Sequence, residues 1–88
     1  MKVSYRTSFV QDLKSIKNKK LLERIEHQIV AVESAKSLDQ VSGVKKLAGW
    51  PNCYRIRVGQ YRLGLLIVKD EVEFVRCLPR RDLYRYFP

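Results

Sequence analysis

The chain has 88 residues, 45% hydrophobic and 31% charged, so residues 1–88 are expected to make one small domain with a single core and little stability to spare. Its 18 Lys and Arg against 9 Asp and Glu leave a net charge of +9, which directs it towards polyanions or an acidic protein partner. Two cysteines, one histidine and no long apolar run speak against a disulfide scaffold, a metal centre, a cofactor or a membrane span. A cytoplasmic protein with free thiols is the expectation.

The elements can be read in chain order. Met1 to Arg6 alternates loosely and reads as a first strand, at the edge of a sheet or inside it. Thr7 or Ser8 can cap a helix whose apolar face is Phe9, Val10, Leu13 and Ile16. Lys17-Asn18-Lys19-Lys20 makes a short connection. A second helix follows with Leu22, Ile25, Ile29 and Val32 as its stripe, and it should fade between Ala35 and Leu38. Ser42 to Asn52, punctuated by Gly43, Gly49 and Pro51, reads as a loop. Two more strands form a hairpin about Gly59-Gln60, and Val72 to Leu78 is a fourth strand that Pro79 stops. The order predicts an α+β domain: an N-terminal strand, then a two-helix hairpin packed on one face of a four-stranded, mainly antiparallel sheet. A short C-terminal tail or helical turn ends it.

The hairpin carries the chemistry. A two-residue loop that begins with glycine suits a type II′ turn and fixes the register. Val58 then faces Tyr61, Arg57 faces Arg62, Ile56 faces Leu63 and Arg55 faces Gly64. Because strand side chains alternate, Tyr54, Ile56, Val58, Tyr61, Leu63, Leu65 and Ile67 should face the helices. Arg55, Arg57 and Arg62 converge on the other side, which should lie open. Like charges opposed across strands destabilise by a few tenths to about 1 kcal/mol, so an anion is the natural occupant of this face. Guanidinium forks match phosphate oxygens and stay charged. Whether Arg76 joins them depends on the Lys69 to Glu71 turn, which allows more than one register.

The tail, Pro79-Arg80-Arg81-Asp82-Leu83-Tyr84-Arg85-Tyr86-Phe87-Pro88, interleaves basic and aromatic residues as nucleic-acid binders do. Leu83 and Phe87 can equally dock on the sheet. Trp50 can stack on a base or plug the sheet edge. Lys45 and Lys46 supply electrostatic steering. No general base stands among the arginines, and His27 sits on a different element.

Lys46-Leu47-Ala48-Gly49, the strand pair from Cys53 to Leu63, and Arg80-Arg81-Asp82-Leu83-Tyr84-Arg85 together resemble the RelE/ParE toxin superfamily of type II toxin–antitoxin modules. The element order agrees over essentially the whole chain. The resemblance implies a ribosome-dependent mRNA endoribonuclease that cuts A-site codons by attack of the 2′-oxygen on the scissile phosphate. By position it gives Arg55, Arg57, Arg62, Arg81 and Tyr84 the catalytic roles, with Arg81 as general acid and Tyr84, or Tyr86, against the substrate base. Arg80, Arg85, Tyr86, Lys45 and Lys46 would hold RNA. It also implies a small antitoxin with an acidic toxin-binding segment, and a toxin–antitoxin assembly on operator DNA. Arginine occupies both strand positions where relatives place a lysine, histidine or glutamate. The resemblance therefore also admits a ParE-like DNA gyrase inhibitor, or a catalytically weak homologue that only binds its antitoxin.

Overall fold

A computed structural model describes residues 1–88. Strand β1 (Lys2–Tyr5) leads into helices α1 (Thr7–Lys14) and α2 (Lys19–Ser34). A single 3-10 turn (Leu38–Gln40) precedes strands β2 (Val44–Lys46), β3 (Cys53–Val58), β4 (Tyr61–Val68) and β5 (Glu71–Pro79), and helix α3 (Arg80–Tyr86) closes the chain. The sheet order is β1-β5-β4-β3-β2. All pairs are antiparallel except β1 with β5.

The sheet has five strands, one more than the sequence predicts. The extra one, β2, lies within the expected Ser42 to Asn52 loop and pairs with Tyr54 to Ile56. Three residues between glycines carry too little alternation to read as a strand; the free edge of β3 recruits them. Capping also differs. Neither Thr7 nor Ser8 caps α1, which starts after Arg6 without a side-chain cap. Asn18 caps α2 by accepting from the Leu21 N–H at 3.1 Å.

The expected interior face is the main core. Ile56, Val58, Leu63, Leu65, Val72, Phe74 and Cys77 of the sheet pack with Phe9, Ile16, Ile25 and Val32, and Tyr54, Tyr61 and Ile67 border them. Val10 is the exception on α1, since it faces water. Phe9 and Phe74 meet at 5.3 Å between ring centroids, with Tyr5 against both. Cys77 lies in this core and Cys53 in a second one on the opposite side of the sheet, both as free thiols. Burial, with help from the Asp12 charge, pushes the Cys77 thiol up to about 12, so it stays protonated and unreactive at neutral pH.

Strand β1 covers only Glu71 to Phe74 of β5, which leaves the edge beyond Phe74 bare. Helix α1 satisfies it. Ser8 Oγ donates to the Val75 carbonyl at 2.6 Å, and Asp12 Oδ2 accepts from the Cys77 N–H at 2.9 Å. Asp12 also binds Arg76 through both carboxylate oxygens, at 2.8 and 3.1 Å. Asp12→Ala orphans a backbone donor and a half-buried guanidinium together, so a loss of roughly 1–3 kcal/mol is expected. Urea unfolding should give that loss as a lower midpoint at unchanged m. Asp12→Asn, which keeps an acceptor for Cys77, should recover part of it.

Candidate anion-binding site

The hairpin forms in the predicted register: Val58 with Tyr61, Arg57 with Arg62, Ile56 with Leu63 and Arg55 with Gly64. Gly59 takes the positive φ of 58° that a II′ turn demands, while Gln60 does not. Arg62 Nη1 donates to the carbonyls of Gly59 and Tyr61, both at 2.9 Å, and the side chain is buried at 8% exposure. Burial, and the charges of Arg55, Arg57 and Arg80, lower the Arg62 pKa, with Tyr84 opposing them. Arg55, Arg57, Arg80 and Tyr84 therefore each lie within Coulombic reach of Arg62. A buried cation with three cationic neighbours is held in place by the fold and relieved by a bound anion.

This face is not open along its length, as the alternation alone suggests. Leu83 and Phe87 cover its far end over Cys53 and Val75, and only the part near the hairpin tip remains for a ligand. Two features make the depression that receives Phe87. At a β-bulge, Gly64 pairs with Arg76 and Leu65 with Phe74, which leaves Val75 as the extra residue. Gly64 is also bare enough for the Phe87 ring to lie where a Cβ would sit, 2.9 Å from two ring carbons. The bulge also answers the question of Arg76. It brings Arg76 into the row of Lys45, Arg55 and Gly64, but its charge is spent on Asp12.

Docking Phe87 fixes α3 beside the hairpin. Gln60, Pro79, Arg80, Arg81 and Tyr84 line one cleft, and the Arg80 N–H donates to the Gln60 carbonyl at 2.9 Å. Arg80, Arg81, Tyr84 and Arg57 are all exposed. Arg55 is different. Its Nη1 donates to the Gly43 carbonyl at 2.7 Å, the same oxygen that accepts the Arg57 N–H at 3.1 Å, and its Nε is buried without a partner. Arg55 thus ties the loop before β2 to the floor of the site.

The remaining expected contacts are spread out. Pairing sets Lys45 opposite Arg55 on the arginine side, whereas Lys46 is opposite Tyr54 and falls on the helix side. Arg85 and Tyr86 are exposed, with Tyr86 close enough to Arg76 to raise its pKa, though less than Asp12 does. Trp50 is neither plug nor core; it stands 53% exposed. Two residues escape sequence reasoning. Arg24 and His27 of α2 line a second cleft that Arg57 also borders, so His27 is nearer the arginines than its element suggests. Nothing in a solvent-facing helical stretch signals this, because it depends on how α2 crosses the hairpin tip.

Two helices and a short C-terminal helix around an antiparallel hairpin, with arginines free of ion pairs clustered at the hairpin tip, define a small α+β protein with a basic surface. A sequence profile described as ParE toxin of type II toxin-antitoxin system, parDE, matches residues 3–84. Toxin RelE3 of Methanocaldococcus jannaschii is 39% identical over 89 residues, covering all of both chains. The RelE toxin of a RelB-RelE antitoxin-toxin complex from Methanococcus jannaschii superposes with a TM-score of 0.81 at 37% identity, covering 96% of this chain and 98% of that one. An archaeal RelE-RelB complex from Pyrococcus horikoshii OT3 shares the fold, with a TM-score of 0.73 at 23% identity over 90% and 93% of the two chains. The chain belongs to the ParE toxin family, within the RelE/ParE superfamily, and is a toxin of a type II toxin–antitoxin system. No helix is long and apolar enough to cross a membrane.

Proposed function

We propose that the protein is a ribosome-dependent endoribonuclease that cuts mRNA at A-site codons and so inhibits translation in the cytoplasm. The observation that carries this reading is the cluster of Arg57, Arg62, Arg80 and Tyr84 about one buried guanidinium, beside the cleft that Arg81 lines. The scissile phosphate lies against Arg57, Arg62 and Arg81, with Arg80 and Arg85 on flanking phosphates and Lys45 and Lys46 steering from the edge strand. Tyr84 stacks on a base next to the cut, and Tyr86 lies further along the tail.

In the reaction the 2′-oxygen bonds to phosphorus and the bond from phosphorus to the 5′-oxygen breaks, leaving a 2′,3′-cyclic phosphate and a 5′-hydroxyl. The 2′-hydroxyl proton departs to water and the 5′-oxygen takes one from water, while the Arg81 guanidinium stays charged and donates a hydrogen bond to that leaving oxygen. The rest of the catalysis is electrostatic, because guanidinium groups fixed before the reaction match the charge that develops on the non-bridging oxygens. Arg55 acts by holding the loop at Gly43. A small antitoxin with an acidic segment covers this surface, as suits a chain of net charge +9 whose relatives crystallise with RelB-type partners, and the pair binds operator DNA.

A second reading is favoured by one feature: the cluster holds arginines and a tyrosine but no imidazole or carboxylate base. It is a gyrase inhibitor, or a toxin that only binds its antitoxin. Induction in growing cells separates the three. The nuclease truncates translated transcripts while plasmid supercoiling stays normal; relaxed plasmid with intact transcripts marks the gyrase inhibitor, and normal growth the mere binder.

A further inference from the structure

We infer that the cleft between α2 and the hairpin is a second nucleotide-binding subsite, which takes an RNA phosphate on the far side of the hairpin from Arg81. It is lined by Glu23, Arg24, His27 and Gln28 of α2, and by Ser42, Arg57 and Val58. Neither Arg24 nor Arg57 is in an ion pair. Arg24 leans over the turn, its Nη1 only 3.0 Å from where a Cβ on Gly59 would sit. The two walls are tied together, because Gln28 Nε2 donates to the Ser42 carbonyl at 3.0 Å and the next carbonyl, Gly43, holds Arg55 and the Arg57 N–H.

Arg57 borders this cleft and also stands opposite Arg62. A basic path therefore runs from Arg81 over the hairpin tip to Arg24. Two unpaired guanidinium groups across a fixed gap suit one phosphate. Glu23 forbids a second anion there and instead offers an acceptor to a ribose hydroxyl, with His27 beside it, which favours RNA over DNA.

This inference rests on the RNA reading above, and the test keeps the two apart. Binding of a labelled single-stranded oligoribonucleotide to the full chain is followed by anisotropy across a salt series. Arg24→Ala should weaken binding roughly 3- to 10-fold and flatten log K against log salt by about 0.7, the loss of one phosphate contact on a single strand. Arg24→Lys should restore most of the slope, and Lys36→Ala, beyond the end of α2, should change neither. If Lys36→Ala acts like Arg24→Ala, the effect is net charge alone and the subsite is refuted. Unchanged RNA binding by Arg24→Ala, with Arg57→Ala still impaired, refutes the subsite and leaves the RNA reading standing. Unchanged RNA binding with weaker antitoxin binding gives the cleft to an acidic protein segment, which also refutes it. No salt-dependent RNA binding by the parent chain refutes the subsite, while the ribosome-dependent reading stands or falls by cleavage of translated mRNA.

Discussion

Replacing Arg57 and Arg81 together by alanine should abolish growth inhibition and mRNA cleavage while leaving the fold intact. Both side chains are exposed, so each change should alter unfolding by no more than about 0.5 kcal/mol. Under the proposed mechanism each change removes a donor aimed at charge that develops only in the transition state, so a loss on the order of 10²–10³-fold in rate per donor is expected. The two losses need not multiply, because groups that act on one phosphate act as a unit. The effect should fall on the rate of cleavage at saturating ribosomes more than on ribosome binding. Arg62→Ala is a poorer probe, since Arg62 is buried and its hydrogen bonds hold the turn. A folded Arg57→Ala/Arg81→Ala protein that still stops growth would show that these arginines are not the site.

The second large effect is expected at Gly64, which has no charge and no part in the chemistry. A Cβ there meets the Phe87 ring at 2.9 Å, and Phe87 is 4% exposed in the core beneath α3. Gly64→Val must therefore push the tail off the sheet or shift the strand, at roughly 1–3 kcal/mol. The functional loss should be larger than the stability loss. Arg80, Arg81 and Tyr84 are placed by that docking, and displacement of a positioning group by about 1 Å can cost roughly 10²-fold. Phe87→Leu should remove part of the clash, so that Gly64→Ala with Phe87→Leu loses less than the sum of the two single changes. Unfolding midpoints and cleavage rates of the four proteins would give the coupling. Strict additivity would mean that the ring does not rest on Gly64.

Much of this was legible from the hairpin outward. Gly59-Gln60 specified the turn, the turn specified the register, and the register placed Arg57 opposite Arg62 before any tertiary contact was known. The apolar alternation likewise assigned the helix-facing side of β3 and β4. What stayed hidden depended on tertiary edges. Strand β2 exists because β3 has a free edge, not because Val44-Lys45-Lys46 has strong strand character. The bulge at Val75 shifts the pairing that the Lys69-Asp70 turn begins, and no local signal announces it. Gly64 offered a hint, since a glycine inside an apolar strand often marks a close approach, but which group approached could not be read. For the same reason alternation alone leaves the arginine face open and His27 on a separate element, and nothing local brings Arg24 to the hairpin tip.

The most direct test is primer extension on an mRNA being translated in a reconstituted system, with and without the purified toxin. The account predicts discrete new 5′ ends at codon positions in the A site, absent from ribosome-free RNA and lost with Arg57→Ala/Arg81→Ala. Intact mRNA at saturating folded toxin would contradict it.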